Sequence, residues 1–386
     1  MPPLTIPFGC PLLDQKEIDA ATKVLSGPIL AHGPVCLEFE EAFADYIQVE
    51  HAISVASGTA ALHLCLFASE IGPGDEIIVP AMSHVATAHA VEYCGAKPIF
   101  ADVSPTSGNI TPEGIREIIT DKTKAVMVVH FLGLPCDMDP INAIAQKLGV
   151  FVIEDAALAM GAQYGSRMAG ALAQAACFSF YPIKHITSIE GGMVTTNNGA
   201  LAELIRQRKA FGYNHSYQTR MKPGVYDVPV LGFNYRMNEV EAAVGLCQLD
   251  KLNERLKIRK HNYNALKSSL AEIDEITVFE PVQGKSASSY YCLNAILPAD
   301  ASLNRDKIVQ ELTAQNIGSS VHYPGPIPLM TYYREKYDYK PGQFQTAEWL
   351  ANQTISLPVA PHVPDGFEEH IAATMKNAIY KALHED

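Results

Sequence analysis

Lys184 stands in the run Ser179-Phe180-Tyr181-Pro182-Ile183-Lys184-His185-Ile186-Thr187, and Glu190-Gly191-Gly192 follows closely. Apolar, strand-like runs at 176–180 and 192–196 flank it, so the lysine is expected in a tight, partly buried loop. A buried ammonium is costly unless paired. Such a lysine tends to give up its proton, and the free amine is a nucleophile of the kind that forms Schiff bases with carbonyl compounds. A lysine reaching from a loop into water is the commoner arrangement. Its chemistry therefore depends on what else the chain brings to the same place.

Three strand ends offer complementary groups. Ligands of open α/β sheets collect at the carboxyl ends of strands. After the run 52–56 comes Ser57-Gly58-Thr59-Ala60-Ala61-Leu62-His63, a small-residue turn opening a helix. Free amides at a helix start, with a glycine allowing close approach, make an anion site; Ser-Gly-Thr also serves as an ordinary cap. After the run 151–153, Glu154-Asp155-Ala156-Ala157 puts a carboxylate at the sheet rim with room beside it for a flat ligand, a capping aspartate being the rival reading. Ser179, at a third strand end, can turn its hydroxyl toward the same anion. A phosphate cradle, a carboxylate for a ring nitrogen and an amine for an aldehyde are the parts that pyridoxal 5′-phosphate requires.

The positioning elements are short Val- and Ile-rich runs at 52–56, 76–79, 97–101, 125–130, 151–153, 176–180 and 192–196, separated by helical stretches. That alternation indicates βαβ units and a mainly parallel seven-stranded sheet covered on both faces. Gly72-Pro73-Gly74-Asp75, Pro105-Thr106-Ser107-Gly108 and Pro135-Cys136-Asp137 mark turns between them. Residues 238–271 read as one long helix leaving the sheet domain. Beyond it, a strand-like run at 291–297 and helices at 305–315 and 367–383 suggest a smaller α+β unit. The expected division is a large α/β domain over 1–245, with 1–30 a candidate arm, and a linking helix plus small α+β C-terminal domain over 246–386.

Composition narrows the classes. The 386 residues are 48% apolar and 18% charged, as in soluble globular proteins, and a net charge of −13 argues against nucleic-acid binding. No apolar run reaches membrane-spanning length, and Met1-Pro2-Pro3-Leu4-Thr5 lacks signal-peptide features. The eight cysteines are scattered without a C-x-x-C pair, so reduced thiols and a cytoplasmic location are expected. The thirteen histidines show no metal-ligand spacing, so no metal is expected.

Taken in order, the motifs resemble the DegT/DnrJ/EryC1/StrS family of pyridoxal-phosphate-dependent sugar aminotransferases, of fold type I. The resemblance starts at Gly27-Pro28 and Gly33 and continues in Ser57-Gly58-Thr59-Ala60-Ala61-Leu62, Gly95-Ala96-Lys97-Pro98 with Asp102-Val103, and Val129-His130. It runs on through Gly133, Pro135-Cys136-Asp137-Met138-Asp139, Glu154-Asp155-Ala156-Ala157 and the Lys184 run with Glu190-Gly191-Gly192. Gly232-Phe233-Asn234-Tyr235-Arg236-Met237, His322-Tyr323-Pro324 and Leu357-Pro358 complete it.

The resemblance implies an aspartate-aminotransferase-like large domain and a homodimer with shared active sites. Lys184 would hold the cofactor as a Schiff base and move the substrate proton; Asp155 would pair with the pyridine nitrogen. Gly58, Thr59 and Ser179 would bind the phosphate, and Asn234 would reach the phosphate of the neighbouring subunit's cofactor. His215, Tyr213, Arg236, His322 and Tyr323 match regions facing the acceptor. L-glutamate would be the donor, with pyridoxamine 5′-phosphate as the intermediate form, and a nucleotide-linked keto sugar the acceptor, serving cell-surface polysaccharide or lipopolysaccharide biosynthesis. A free oxidised sugar acid of the 8-amino-3,8-dideoxy-octulosonate type is the alternative acceptor; a cofactor-binding regulator or a sugar dehydratase is the alternative activity. The chain departs from the pattern at Ser83-His84, where a Thr-aromatic pair is usual and His84 is expected to stack on the cofactor ring rather than bond within its loop. It departs again at Leu158, where a Gln is usual, and at Met160, where a His is frequent.

Overall fold

The computed structural model describes residues 5–31, 33–214, 225–298 and 303–384. Seven strands form the central sheet: β1 (His51–Val55), β2 (Glu76–Pro80), β3 (Lys97–Ala101), β4 (Thr123–Val129), β5 (Phe151–Asp155), β6 (Ala175–Ser179) and β7 (Gly192–Thr196). Their spatial order is β1-β7-β6-β5-β4-β2-β3. All pairings are parallel except those of β7, which runs antiparallel to both β1 and β6. The seven-stranded, mainly parallel α/β sheet is thus the one expected, and its strands fall within one or two residues of the apolar runs.

Strand side chains alternate between faces, and that alternation sorts the core. Ile53, Met127, Ile153, Cys177 and Val194 pack with helices α3 (Gly58–Ala68), α4 (Val85–Tyr93) and α7 (Gly199–Arg208) on one face. Ala52, Val126, Val152, Ala176 and Met193 pack on the other with residues of α2 (Pro34–Ile47), α5 (Pro112–Ile118) and α6 (Met138–Leu148). Burying each face against helices supplies the apolar area removal that holds such sheets together.

Two helices, α8 (Glu239–Asp250) and α9 (Leu252–Leu270), replace the single helix expected over 238–271. The chain steps at Lys251, whose amide bonds the Gln248 carbonyl, three residues back, at 3.2 Å. Its ammonium is drawn to Glu17 at 2.6 Å and Asp14 at 2.8 Å. These carboxylates belong to the N-cap and first turn of α1 (Gln15–Leu25), so that helix is fastened to its own chain, and Ile6 bridges to Ile317. The Glu239 carboxylate at the start of α8 accepts from the amides of Gly33, Val35 and Cys36, capping α2.

A third core gathers Leu266 and Leu270 of α9, Ile308 and Leu312 of α10 (Arg305–Ala314), and Ile371 and Met375 of a helix at Phe367–His384. They cover an antiparallel sheet of β8 (Thr277–Val278), β9 (Leu293–Ile296) and β10 (Thr354–Leu357), in the order β8-β9-β10. This is an α+β arrangement. Among the described residues no helix is long and apolar enough to cross a membrane.

Candidate active site

The carboxyl ends of β5 and β6 and the start of α3 surround a cavity of about 470 Å³. On β5, the period of two turns Asp155 into that cavity and Glu154 to the opposite face. Glu154 is fully buried there and accepts from His130 Nε2 at 2.9 Å and from the amides of Gly170, Leu172 and Ala173. It ties loops together, whereas Asp155 is the carboxylate available to chemistry.

Asp155 is held by two donors. Thr87 Oγ1 donates to Oδ2 at 2.8 Å, and the Ala157 amide to Oδ1 at 3.2 Å. Ser83 Oγ stands 2.8 Å from Thr87 Oγ1. A hydroxyl has one proton, and Thr87 gives its own to the carboxylate, so Ser83 donates to Thr87. The resulting chain Ser83–Thr87–Asp155 fixes the carboxylate's orientation. Thr87→Val removes a hydrogen bond to a charged group, worth about 1.5–3 kcal/mol, and is expected to lower the stability of the cofactor-free protein by about that amount in a denaturant titration. Thr87→Ser is expected to restore it; wild-type stability in Thr87→Val would show that Thr87 does not hold Asp155.

Lys184 lies in a loop closed by bonds from its own amide to Tyr181 O at 2.9 Å and from Ser188 N to Phe180 O at 3.1 Å. Its Nζ stands 5.4 Å from the ring centroid of Tyr291, within cation–π range. Burial pushes the ammonium down to about 8, with Asp155 opposing that shift. The amine is therefore far more available near neutral pH than an ordinary lysine.

At the start of α3, Ser57 Oγ accepts from the Ala60 amide at 3.1 Å. The first amides of a helix have no intrahelical partner, which leaves those of Gly58 and Thr59 as open donors at the cavity. Two glycines make the cradle tight. A Cβ on Gly58 would meet Ser179 Cβ at 2.9 Å, and one on Gly192 would meet the Ser57 backbone at 2.5 Å. A loop with free amides and hydroxyls, a fixed carboxylate and an amine of lowered pKa match the phosphate, ring nitrogen and aldehyde of pyridoxal phosphate.

His84 is on the cavity wall and is also the N-cap of α4, its Nδ1 accepting from the Ala86 amide at 3.2 Å. The loop hydrogen bond that the sequence reading ranked below stacking is therefore present, and it places the neutral ring's proton on Nε2. Burial pushes the His84 pKa below the usual histidine value, with Asp155 opposing. Tyr323 meets its ring edge-on at 6.1 Å. Leu158 is buried and lines the wall, while Met160 is buried on the other face of the sheet.

His322 and Tyr323 join Gly58, Thr59, His84, Asp155, Ser179 and Lys184 around the cavity. Asn234 and Arg236 are not among the described lining residues: Asn234 is exposed, and its Oδ1 accepts from Arg236 Nε at 2.9 Å. Tyr213 packs against Tyr226 at 4.6 Å. His215 lies outside the described residues. Sequence reasoning placed Ser83 beside His84 without giving it a role, and missed Thr87 and Tyr291. Thr87 was findable, one helical turn past His84 on the side facing Asp155; Tyr291 has no local signal.

A family model, that of the DegT/DnrJ/EryC1/StrS aminotransferase family, matches residues 11–376. The chain belongs to this family. Spore coat polysaccharide biosynthesis protein SpsC of Bacillus subtilis is 35% identical over 379 residues, 97% of each chain. GDP-perosamine synthase of Caulobacter vibrioides is 39% identical over 315 residues, 81% of this chain and 83% of that one. Spr1654 of Streptococcus pneumoniae, solved in its PMP form, superposes with a TM-score of 0.92 at 27% identity, covering 98% of this chain and 100% of that one. Its PLP form gives 0.91 at 26%. This member of the DegT/DnrJ/EryC1/StrS family is a pyridoxal-phosphate-dependent sugar aminotransferase, with the fold type I architecture of its structural neighbours.

Proposed function

We propose that the protein moves the amino group of L-glutamate to the carbonyl carbon of a nucleotide-linked keto sugar, as a cytoplasmic homodimer serving cell-surface polysaccharide biosynthesis. The observation carrying this reading is the pairing of a low-pKa amine, Lys184, with a fixed carboxylate, Asp155, across one cavity. The bound cofactor supplies an aldehyde and a ring able to take up carbanion charge. Lys184 would hold it through the amine and would be the group placed to carry the proton to and from the substrate carbon. Asp155 keeps the ring nitrogen protonated, and Gly58, Thr59 and Ser179 grip the phosphate.

GDP-perosamine synthase among the relatives supports a nucleotide-linked acceptor. His322 and Tyr323 take the acceptor side of the cavity; Arg236, which does not line it and is bonded to Asn234, is assigned with Asn234 to the partner's cavity. Exposed Leu25, Ile29, Leu30 and Leu231 suit a subunit interface, and Asn234, outside its own cavity, suits a role in the partner's.

Only the unprotonated amine reacts, so uptake of cofactor by cofactor-free protein is expected to quicken as pH rises through about 8. In Asp155→Asn, which loses the charge that raises the amine's pKa, the midpoint is expected to move lower. A midpoint near 10.4, the ordinary lysine value, would contradict the buried-amine account. Borohydride should fix the cofactor on the Lys184 peptide; a label on another lysine would overturn the assignment. The acceptor is tested by mixing the aminated protein with nucleotide-linked keto sugars and with oxidised free sugar acids. Return of the visible absorbance with the former is expected; return with a sugar acid alone would reassign the acceptor.

A further inference from the structure

Strand register brings a polar chain onto His322. Ser356 on β10 is the cross-strand partner of Asn294 on β9 and bridges to Ser320 on its other side. Direct partners share a face, as do residues two apart. Asn294, Ser356 and His322 therefore face one another, and all three are buried.

Ser356 Oγ donates to Asn294 Oδ1 at 2.6 Å and stands 2.9 Å from His322 Nδ1. With the Asn294 amide oriented so, which leaves its buried Nδ2 without a partner among the described residues, the single proton of Ser356 is on Asn294; Ser356 then accepts from the imidazole, and Nδ1 carries the ring hydrogen. Nε2 is then a bare lone pair, on a side chain that lines the cavity with Lys184. Phe8, Tyr291 and Tyr323 enclose the ring at 5.6, 5.7 and 5.2 Å. Burial pushes its pKa down to about 4, and the positive charges that Lys184 and His84 can carry act in the same direction.

We infer that Asn294 and Ser356 are positioning residues that lock His322 as a neutral hydrogen-bond acceptor facing the amine acceptor. The inference rests on the sugar occupying this cavity, as proposed above. A lone pair attracts a donor and repels an anion. The sugar must present a hydroxyl near its carbonyl at this point, and its phosphates or carboxylate must lie elsewhere. His322 is thus a selector for hydroxylated carbonyl substrates.

Long-range ¹H–¹⁵N NMR of histidine-labelled protein reads the tautomer directly, with the His322 signal assigned by its loss in His322→Gln. The expected pattern is Nδ1–H, unchanged from neutral pH down to about 5, kept in Ser356→Thr and lost in Ser356→Ala. The opposite orientation of the Asn294 amide would reverse every proton in the chain. An Nε2–H pattern in the wild type, or no change in Ser356→Ala, would overturn the lock. For selection, hydroxyacetone and acetone are compared as acceptors for the aminated protein. Their rate ratio is expected to fall about tenfold in His322→Gln, the effect of one hydrogen bond; an unchanged ratio would remove His322 from acceptor recognition. Loading with amine from glutamate, read separately by absorbance, reports on amino transfer itself, so failure of the two readings is distinguishable.

Discussion

Lys184→Ala is expected to lower turnover by at least about 10³-fold while the protein still folds. On the proposed roles, two functions disappear with one side chain: the covalent tether and the group that moves the substrate proton. Proton transfer by a positioned side chain contributes about 10²–10⁴-fold on its own. Neighbouring side chains do not replace it. His84 gives its Nδ1 lone pair to the α4 cap, and His322 has its pKa pushed down to about 4, too weak a base to substitute. Cofactor is still expected to bind through Gly58, Thr59, Ser179 and Asp155, but without resistance to dialysis. Steady-state rates and dialysis of the loaded variant check both points; turnover within tenfold of wild type would refute the role of Lys184.

Asp155→Asn is expected to keep the fold and the cofactor and to lose about 10²–10³ in kcat, the scale of removing one preorganised electrostatic partner. The local hydrogen bonds can be re-satisfied. The asparagine oxygen takes the Ala157 amide, its NH₂ donates to Thr87, and Thr87 turns its own proton to Ser83, so each of the three contacts keeps a donor and an acceptor. What the amide cannot supply is the negative charge that, in the proposed role of Asp155, holds the ring nitrogen protonated. A variant with wild-type kcat would show that the carboxylate does no electrostatic work.

Much of this site was legible in the sequence because its parts sit at strand ends. Apolar runs mark where strands stop: Asp155 and Ser179 are the last residues of β5 and β6, and the Ser57–Thr59 turn lies just past β1. The choice between Glu154 and Asp155 was also readable, since alternation along β5 sends them to opposite faces. The step at Lys251 was not, because the apolar spacing runs through it. At the step the Lys251 side chain is held by an ion pair with Glu17, far away in sequence. Ser356 and Asn294 were hidden for the same reason: their meeting with His322 depends on the register of two strands that no local pattern specifies. His84 was half legible, its place on the wall following from the strand end and its cap from the helix start.

The glutamate half-reaction tests the account most directly. Cofactor-loaded wild-type protein mixed with L-glutamate, without any sugar, is expected to lose its visible absorbance and release one equivalent of 2-oxoglutarate per site. Asp155→Asn should do so far more slowly and Lys184→Ala not at all on the same timescale. Absorbance unchanged by glutamate or any other amino acid would contradict amino transfer and favour a cofactor-binding regulator built on this fold.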